Sequence, residues 1–209
     1  MTRTLCRNQD SLLRLALPTL VDHPYEHLSL QGVADACGAS LWAFRYNFAN
    51  VERLFRAVAS HLIDDVVRRS DWTAPPGRPV LETLAAYVGF LADLFESEPY
   101  RNLLYFVLRN GRHHPWLEKA YDQRIVDRIC GDIEKLVLDS GERHGVTILL
   151  NEGGARRFFK RLETELVLST MLPAHGNGPP VDREELIRSV AREAFEATYV
   201  FDWKVPTAA

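Results

Sequence analysis

Cysteine is scarce in this chain. Cys6, Cys37 and Cys130 are odd in number and widely separated, so they supply neither a disulfide framework nor a Cys-x-x-Cys metal knuckle. They are expected to be reduced, mostly buried thiols. Long apolar runs are missing too. The longest, Ala85–Ala92 and Leu103–Leu108, fall far short of the ~18 residues that a membrane span needs. The first ten residues hold nothing resembling a secretory signal, so a cytoplasmic protein without a membrane partner is the expectation. Strong charge of either sign is absent. The net charge is −3, and residues 1–69 carry eight arginines against seven carboxylates. That is a faint positive lean at the N-terminal end; strongly basic nucleic-acid-binding domains look different.

Patterns that would carry catalysis are also wanting. A helical di-iron centre needs Glu-x-x-His pairs, and none of the seven histidines has Glu three positions before it. Gly38-Ala39-Ser40 opens like a nucleophile elbow, but Trp42 stands where the closing glycine belongs. Gly176-x-Gly178 runs into two prolines and cannot open a dinucleotide-binding helix. His113-His114-Pro115 offers adjacent histidines in an extended turn, which rarely aim at one ion. The chain is therefore expected to be no enzyme and to hold no metal or cofactor.

What the sequence does have is helical periodicity nearly throughout its 209 residues, of which 46% are apolar and 25% charged. Leu12, Leu13, Ala16, Leu17 and Leu20 mark a first apolar face, with Pro18 expected to weaken or kink the helix. Val51, Leu54, Phe55, Val58, Leu62 and Val66 repeat at i, i+3/i+4. "DWTAPPGRP" (71–79) breaks that helix. Further helices are expected over Val80–Phe95 (with Leu81, Leu84, Val88, Leu91 and Phe95 inward), Tyr100–Asn110, Trp116–Gly141, Ala155–Met171 and Arg183–Phe201. "PAHGNGPP" (173–180) is a loop by composition. With no alternating apolar–polar runs, the fold class is all-α with roughly nine helices.

Between the first face and the Val51 helix lie two short helical stretches joined by "CGAS", which have the proportions of a helix-turn-helix. Ser29 is a good N-cap for the first and Ser40 for the second. Gly38 permits the backbone a tight turn demands. In the second stretch Phe44 and Phe48 are i, i+4 and are expected to face inward with Val33 and Ala34. Leu41, Trp42, Arg45 and Tyr46 then fall on other faces. Guanidinium, phenol and indole groups on one outward surface suit a DNA groove, where they can grip phosphate, guanine edges or thymine methyls.

Residues 29–55, "SLQGVADACGASLWAFRYNFANVERLF", resemble the DNA-binding motif of tetracycline-repressor (TetR) family transcriptional regulators. The resemblance rests on the Ser-Leu start, Val33-Ala34, Gly38-Ala39-Ser40, Phe48, Asn50, Glu52 and Leu54-Phe55. It implies an N-terminal three-helix DNA-binding domain (1–50) and a larger helical ligand-binding and dimerisation domain (51–209). It further implies a homodimer that binds a palindromic double-stranded DNA operator, most simply as a repressor, and is released by a small hydrophobic or amphipathic effector. The expected DNA contacts are Ser29, Ser40, Leu41, Trp42, Arg45, Tyr46 and Asn47, with Thr2–Arg7 as a possible basic arm. Where the family usually has a backbone-holding tyrosine and lysine, this chain has Arg45 and Val51. The alternative reading is a TetR-like ligand-binding protein whose DNA binding has weakened or been lost.

The middle helices are rich in aromatics. Tyr87, Phe90, Tyr105, Phe106, Trp116 and Tyr121, with Arg109 and His113 as polar handles, are the candidates for lining an effector cavity. The last two helices carry wide apolar faces (Phe158, Phe159, Leu162, Leu166 and Met171, then Leu186, Val190, Ala194, Phe195 and Thr198). Paired with their copies they would form a symmetric four-helix interface.

Overall fold

The computed structural model describes residues 8–143, 149–165 and 183–200. The expected N-terminal arm, Cys6, the 173–180 loop, Leu166 and Met171 lie outside them, as do the side chains of Leu186, Ala194, Phe195 and Thr198. The helices are α1 (Gln9–Asp22), α2 (Leu30–Ala36), α3 (Leu41–Phe48), α4 (Val51–Arg69), α5 (Val80–Glu96), α6 (Glu98–Asn110), α7 (Pro115–Tyr121), α8 (Asp127–Arg143), α9 (Gly154–Glu163) and α10 (Arg183–Thr198). Short 3₁₀ turns occupy Tyr25–His27 and Gly111–His113. Among the described residues the extended structure is a two-residue antiparallel pairing, Leu149 with Val200 and Leu150 with Tyr199. The chain is all-α, and no helix among the described residues is long and apolar enough to cross a membrane.

Two compact units divide the chain: Met1–Arg69 with Glu98–Asp122, and Ser70–Ser97 with Gln123–Ala209. The functional boundary expected after Asn50 thus falls within the first unit.

In the first unit the apolar stripes of α1 (Leu12, Leu13, Ala16, Leu20), α2 (Val33, Ala34), α3 (Phe44, Phe48) and α4 (Leu54, Phe55, Val58, Leu62) meet in one core. Pro18 does not end α1, which runs on to Asp22. A proline leaves carbonyls of the preceding turn short of donors. One of that turn, Leu15 O, accepts from Cys37 Sγ at 3.1 Å, and burial raises the pKa of that thiol.

The second unit is built from α5, α8, α9 and α10. Leu84, Val88, Leu91 and Phe95 of α5 are buried, but Leu81 is 45% exposed, so the inward face begins one turn later than the spacing implied. Phe158, Phe159 and Leu162 of α9 and Val190 of α10, expected to face a second copy, are buried within the protomer itself.

The helix expected over Trp116–Gly141 is interrupted by a π-helical segment, Asp122–Val126, between α7 and α8. Leu117, Tyr121, Ile125, Ile129, Ile133 and Val137 are all buried and recur every four positions. On an ideal α-helix that spacing drifts by about 40° per step, and the wider π turn takes up part of the drift.

Candidate nucleic-acid interface

The turn between α2 and α3 is set by local chemistry. Ser29 Oγ accepts from Gly32 N at 3.0 Å and caps α2. At its other end Gly38 adopts φ +61°. Its N–H donates to Asp35 O, and the next, of Ala39, reaches back to Ala34 O at 2.9 Å. This paired closure needs a left-handed residue at the position after the cap. It directs the chain straight into α3. Ser40 sits at the N-cap position of α3, but its side chain makes no capping bond, against expectation. Its backbone ψ is that of a cap, yet the hydroxyl is left for other partners.

Helix α3 then sorts its side chains. Ala43, Phe44 and Phe48 are buried, which anchors one face of the helix. Trp42 and Tyr46, one turn apart on the opposite face, are 70% and 77% exposed. Their rings stack at 5.4 Å between centroids and 19° between planes. Arg45 is exposed beside them and forms no ion pair among the described residues. Leu41 and Asn47 are half-buried flanks, and Asn47 Nδ2 donates back to Ala43 O at 2.8 Å. The structure therefore presents indole, guanidinium and phenol together on a rigid helical surface held by Phe44 and Phe48.

The exit from α3 is strained. Ala49 takes φ +57°, ψ −45°, and Asn50 N donates to Phe48 O at 2.5 Å across it. This is a γ-turn of the rare hand. Asn50 Oδ1 accepts from Arg53 N at 2.9 Å and starts α4. Val51, first residue of α4, is half-buried and apolar and offers no charge to a phosphate.

Behind this surface an aromatic cluster braces the first unit. Phe55 stacks on Phe106 at 4.7 Å and touches Tyr25 edge-on at 5.0 Å, and its ring lies 4.9 Å from that of His114. Arg56 lies 4.3 Å over the Trp116 ring and pairs with Glu52 at 2.7 Å. Burial works to raise the Glu52 carboxyl, but bonds from Arg56 and Tyr25 outweigh it and hold the carboxyl below its usual range. Burial, seconded by that bond to Glu52, raises the Tyr25 phenol. Asn110, almost fully buried, accepts from Tyr25 N at 3.2 Å and donates to Phe106 O. Arg109 Nη1 donates to Val21 O.

These contacts show where the eight effector candidates lie, six of them in the first unit. Phe106, Arg109 and Trp116 brace the first unit, and His113 Nε2 stands 3.9 Å from Glu26. Tyr105 is exposed, while the buried Tyr121 hydroxyl meets that of Tyr100 at 2.6 Å. Only Tyr87 and Phe90 belong to the second unit, where they stack at 6.1 Å. Trp72 lies 4.9 Å from Tyr87, and the Tyr87 hydroxyl donates to Asp132 Oδ2 at 3.2 Å. Trp72 and Asp132 were not among the candidates. Nothing in the periodicity marks Trp72, which sits in a proline-rich loop, or Asp132, one of several carboxylates on α8.

Fold and surface together define a TetR-type helical architecture. Solved structures share it over nearly their whole length. A TetR family transcriptional regulator from Pseudomonas syringae pv. tomato DC3000 aligns with a TM-score of 0.68 at 12% identity, covering 94% of this chain and 100% of that one. A TetR transcriptional regulator from Agrobacterium tumefaciens gives 0.62 at 17%, covering 92% and 94%. The fatty acid degradation regulator FadR from Bacillus halodurans gives 0.60 at 14%, covering 89% and 93%. No family model and no curated protein matches the sequence.

Proposed function

We propose that this chain is a DNA-binding transcriptional regulator, a repressor that binds a palindromic operator as a homodimer and leaves it when a hydrophobic or amphipathic effector binds. The observation that carries the reading is the outward face of α3: Trp42, Arg45 and Tyr46 exposed together on a short helix that follows a glycine turn. Arg45 grips phosphate or a guanine edge, Tyr46 bonds phosphate, and Trp42 covers sugar or a thymine methyl. Ser29 and Ser40 stand at helix N-termini, where backbone N–H groups favour phosphate. Leu41 and Asn47 complete the surface. A dimer sets two such helices about 34 Å apart, one duplex turn, and so reads a palindrome.

The effector acts by population shift. It must prefer a dimer geometry in which the two α3 helices are mis-spaced, and its coupling cannot exceed that difference in affinity. We assign effector binding to the second unit, where Tyr87 and Phe90 remain from the sequence candidates. That a protein of this fold regulates fatty acid degradation supports an apolar effector.

Selection of bound sequences from random duplexes tests the reading. A recovered palindrome supports it. No enrichment favours the second reading, a ligand-binding protein with lost DNA affinity, for which the uncharged Val51 speaks. Sedimentation of the free protein tests the dimer, and a monomer at micromolar concentration would remove it.

A further inference from the structure

A groove of about 500 Å³ in the second unit separates the first turns of α5 from α10. Its floor is Leu81, Ala85, Ala86 and Ala191, and its rim is Arg78, Glu82, Arg188 and Arg192. Where the two helices approach, Ala85, Ala86 and Ala191 are small, so they leave room between them. Leu81, the apolar residue that failed to reach the core, is turned into that room. Three guanidiniums therefore stand against one carboxylate around an apolar floor. Arg188 is tied to Glu184 at 2.8 Å. Arg78 and Arg192 have no ion pair among the described residues. The nearby N-terminal turn of α5, whose N-cap Pro79 contributes no side-chain bond, adds the positive end of a long helix.

From this geometry we infer that the groove binds an organic anion with an apolar body, its carboxylate held by Arg78 and Arg192 and its chain lying on Leu81, Ala85, Ala86 and Ala191. The volume suits a ligand of ordinary cofactor or metabolite size. Guanidinium pairs recognise carboxylates by two parallel N–H bonds, which a neutral ligand of the same shape cannot engage. The inference deepens the effector reading: it names the chemical class, and Phe90, one turn beyond Ala86 on α5, links the groove's helix face to the Trp72–Tyr87–Phe90 stack.

Calorimetric titration of the full chain with sodium dodecanoate tests it, with dodecanol as the neutral control. We expect saturable binding of dodecanoate, one per chain, that weakens with added salt. Arg78→Gln with Arg192→Gln lowers that affinity by at least about tenfold and leaves the weaker binding of dodecanol unchanged. Arg112→Gln, which removes a single guanidinium from the other unit, has no effect. Both groove arginines are exposed, so their replacement leaves folding intact. Absence of saturable binding, equal affinity for dodecanol, or a double variant that binds dodecanoate as the wild type does would overturn the inference. A double variant that shifts the sedimentation coefficient without changing dodecanoate affinity would make the groove a contact between copies, which also overturns it. The titration contains no DNA, so its failure leaves the operator reading standing, and loss of that reading leaves the titration interpretable.

Discussion

Trp42 and Tyr46 stack ring on ring at 5.4 Å on the solvent side of α3, one helical turn apart. Two large aromatic rings left this exposed cost hydrophobic free energy in the free protein. The stack shields part of each ring and holds both in one orientation before any partner arrives. Such pre-organisation reduces the side-chain entropy lost on binding.

Trp42→Ala is accordingly expected to leave folding stability within about 0.5 kcal/mol of wild type, because the side chain touches no core. Operator affinity should fall by about 1–3 kcal/mol. Thermal unfolding and fluorescence anisotropy on a selected duplex measure the two separately. An unchanged affinity would remove Trp42 from the interface.

Arg45→Ala acts differently, since a phosphate contact is worth most at low salt. The slope of log K against log salt should flatten by about one contact, with little change in base preference. Titrations at several salt concentrations read the slope; if it does not move, Arg45 does not hold the backbone.

Gly38 and Ala49 both have positive φ, and exchanging their side-chain character should give opposite signs. Gly38→Ala places a Cβ in open space, so its cost is conformational alone, about 1–2 kcal/mol. Ala49→Gly relieves the strained turn after α3 and should stabilise by up to about 1 kcal/mol, the gain being trimmed by added freedom in the unfolded chain. Urea unfolding of both variants checks the pair of signs.

Phe55 is fully buried at the centre of the ring cluster formed by Tyr25, Phe106, His114 and Trp116. Phe55→Ala should cost about 3–5 kcal/mol. Because the cluster braces the helices that carry α3, a variant rescued by low temperature should also bind the operator less tightly. Denaturant midpoints together with anisotropy on the folded fraction test both claims.

Tyr87 gives the pH dependence. Burial first, then the charge and the hydrogen bond of Asp132, push its phenol well above the ordinary value of 10.0. The folded state therefore keeps a proton that the unfolded state gives up above about pH 10. That contribution is fully present below pH 10 and is lost as the pH rises beyond it. Tyr87→Phe should lose the hydrogen bond at neutral pH but show a shallower alkaline decline in Tm than wild type. Parallel declines would show that another group carries it.

Much of the fold was legible because it is written in short-range chemistry. Helix periodicity located the core faces of α1 to α4, Ser29 marked the start of α2, and Gly38 marked a turn only a left-handed residue closes. The inward Phe44 and Phe48 followed from i, i+4 spacing, and that alone placed Trp42, Arg45 and Tyr46 outside. Local reading failed where two segments compete for one side chain. Leu81 fits the apolar repeat of α5 but finds no partner at that height. The four-residue repeat from Leu117 to Ile133 reads as one helix, yet its drift opens a π turn.

The sequence by itself determined that the chain is helical, where the outward face of α3 begins, and which side chains that face offers, since each depends on residues within two turns of one another. Only the tertiary structure decided where the aromatics of the middle helices go. Phe106 and Trp116 joined Phe55 and Arg56, while Tyr87 and Phe90 joined Trp72. It likewise set Arg78 beside Arg188 and Arg192. Aromatic and guanidinium groups satisfy a core, a brace or a ligand groove equally well, and the choice among them is made by neighbours that lie on other helices and loops, beyond the reach of local periodicity.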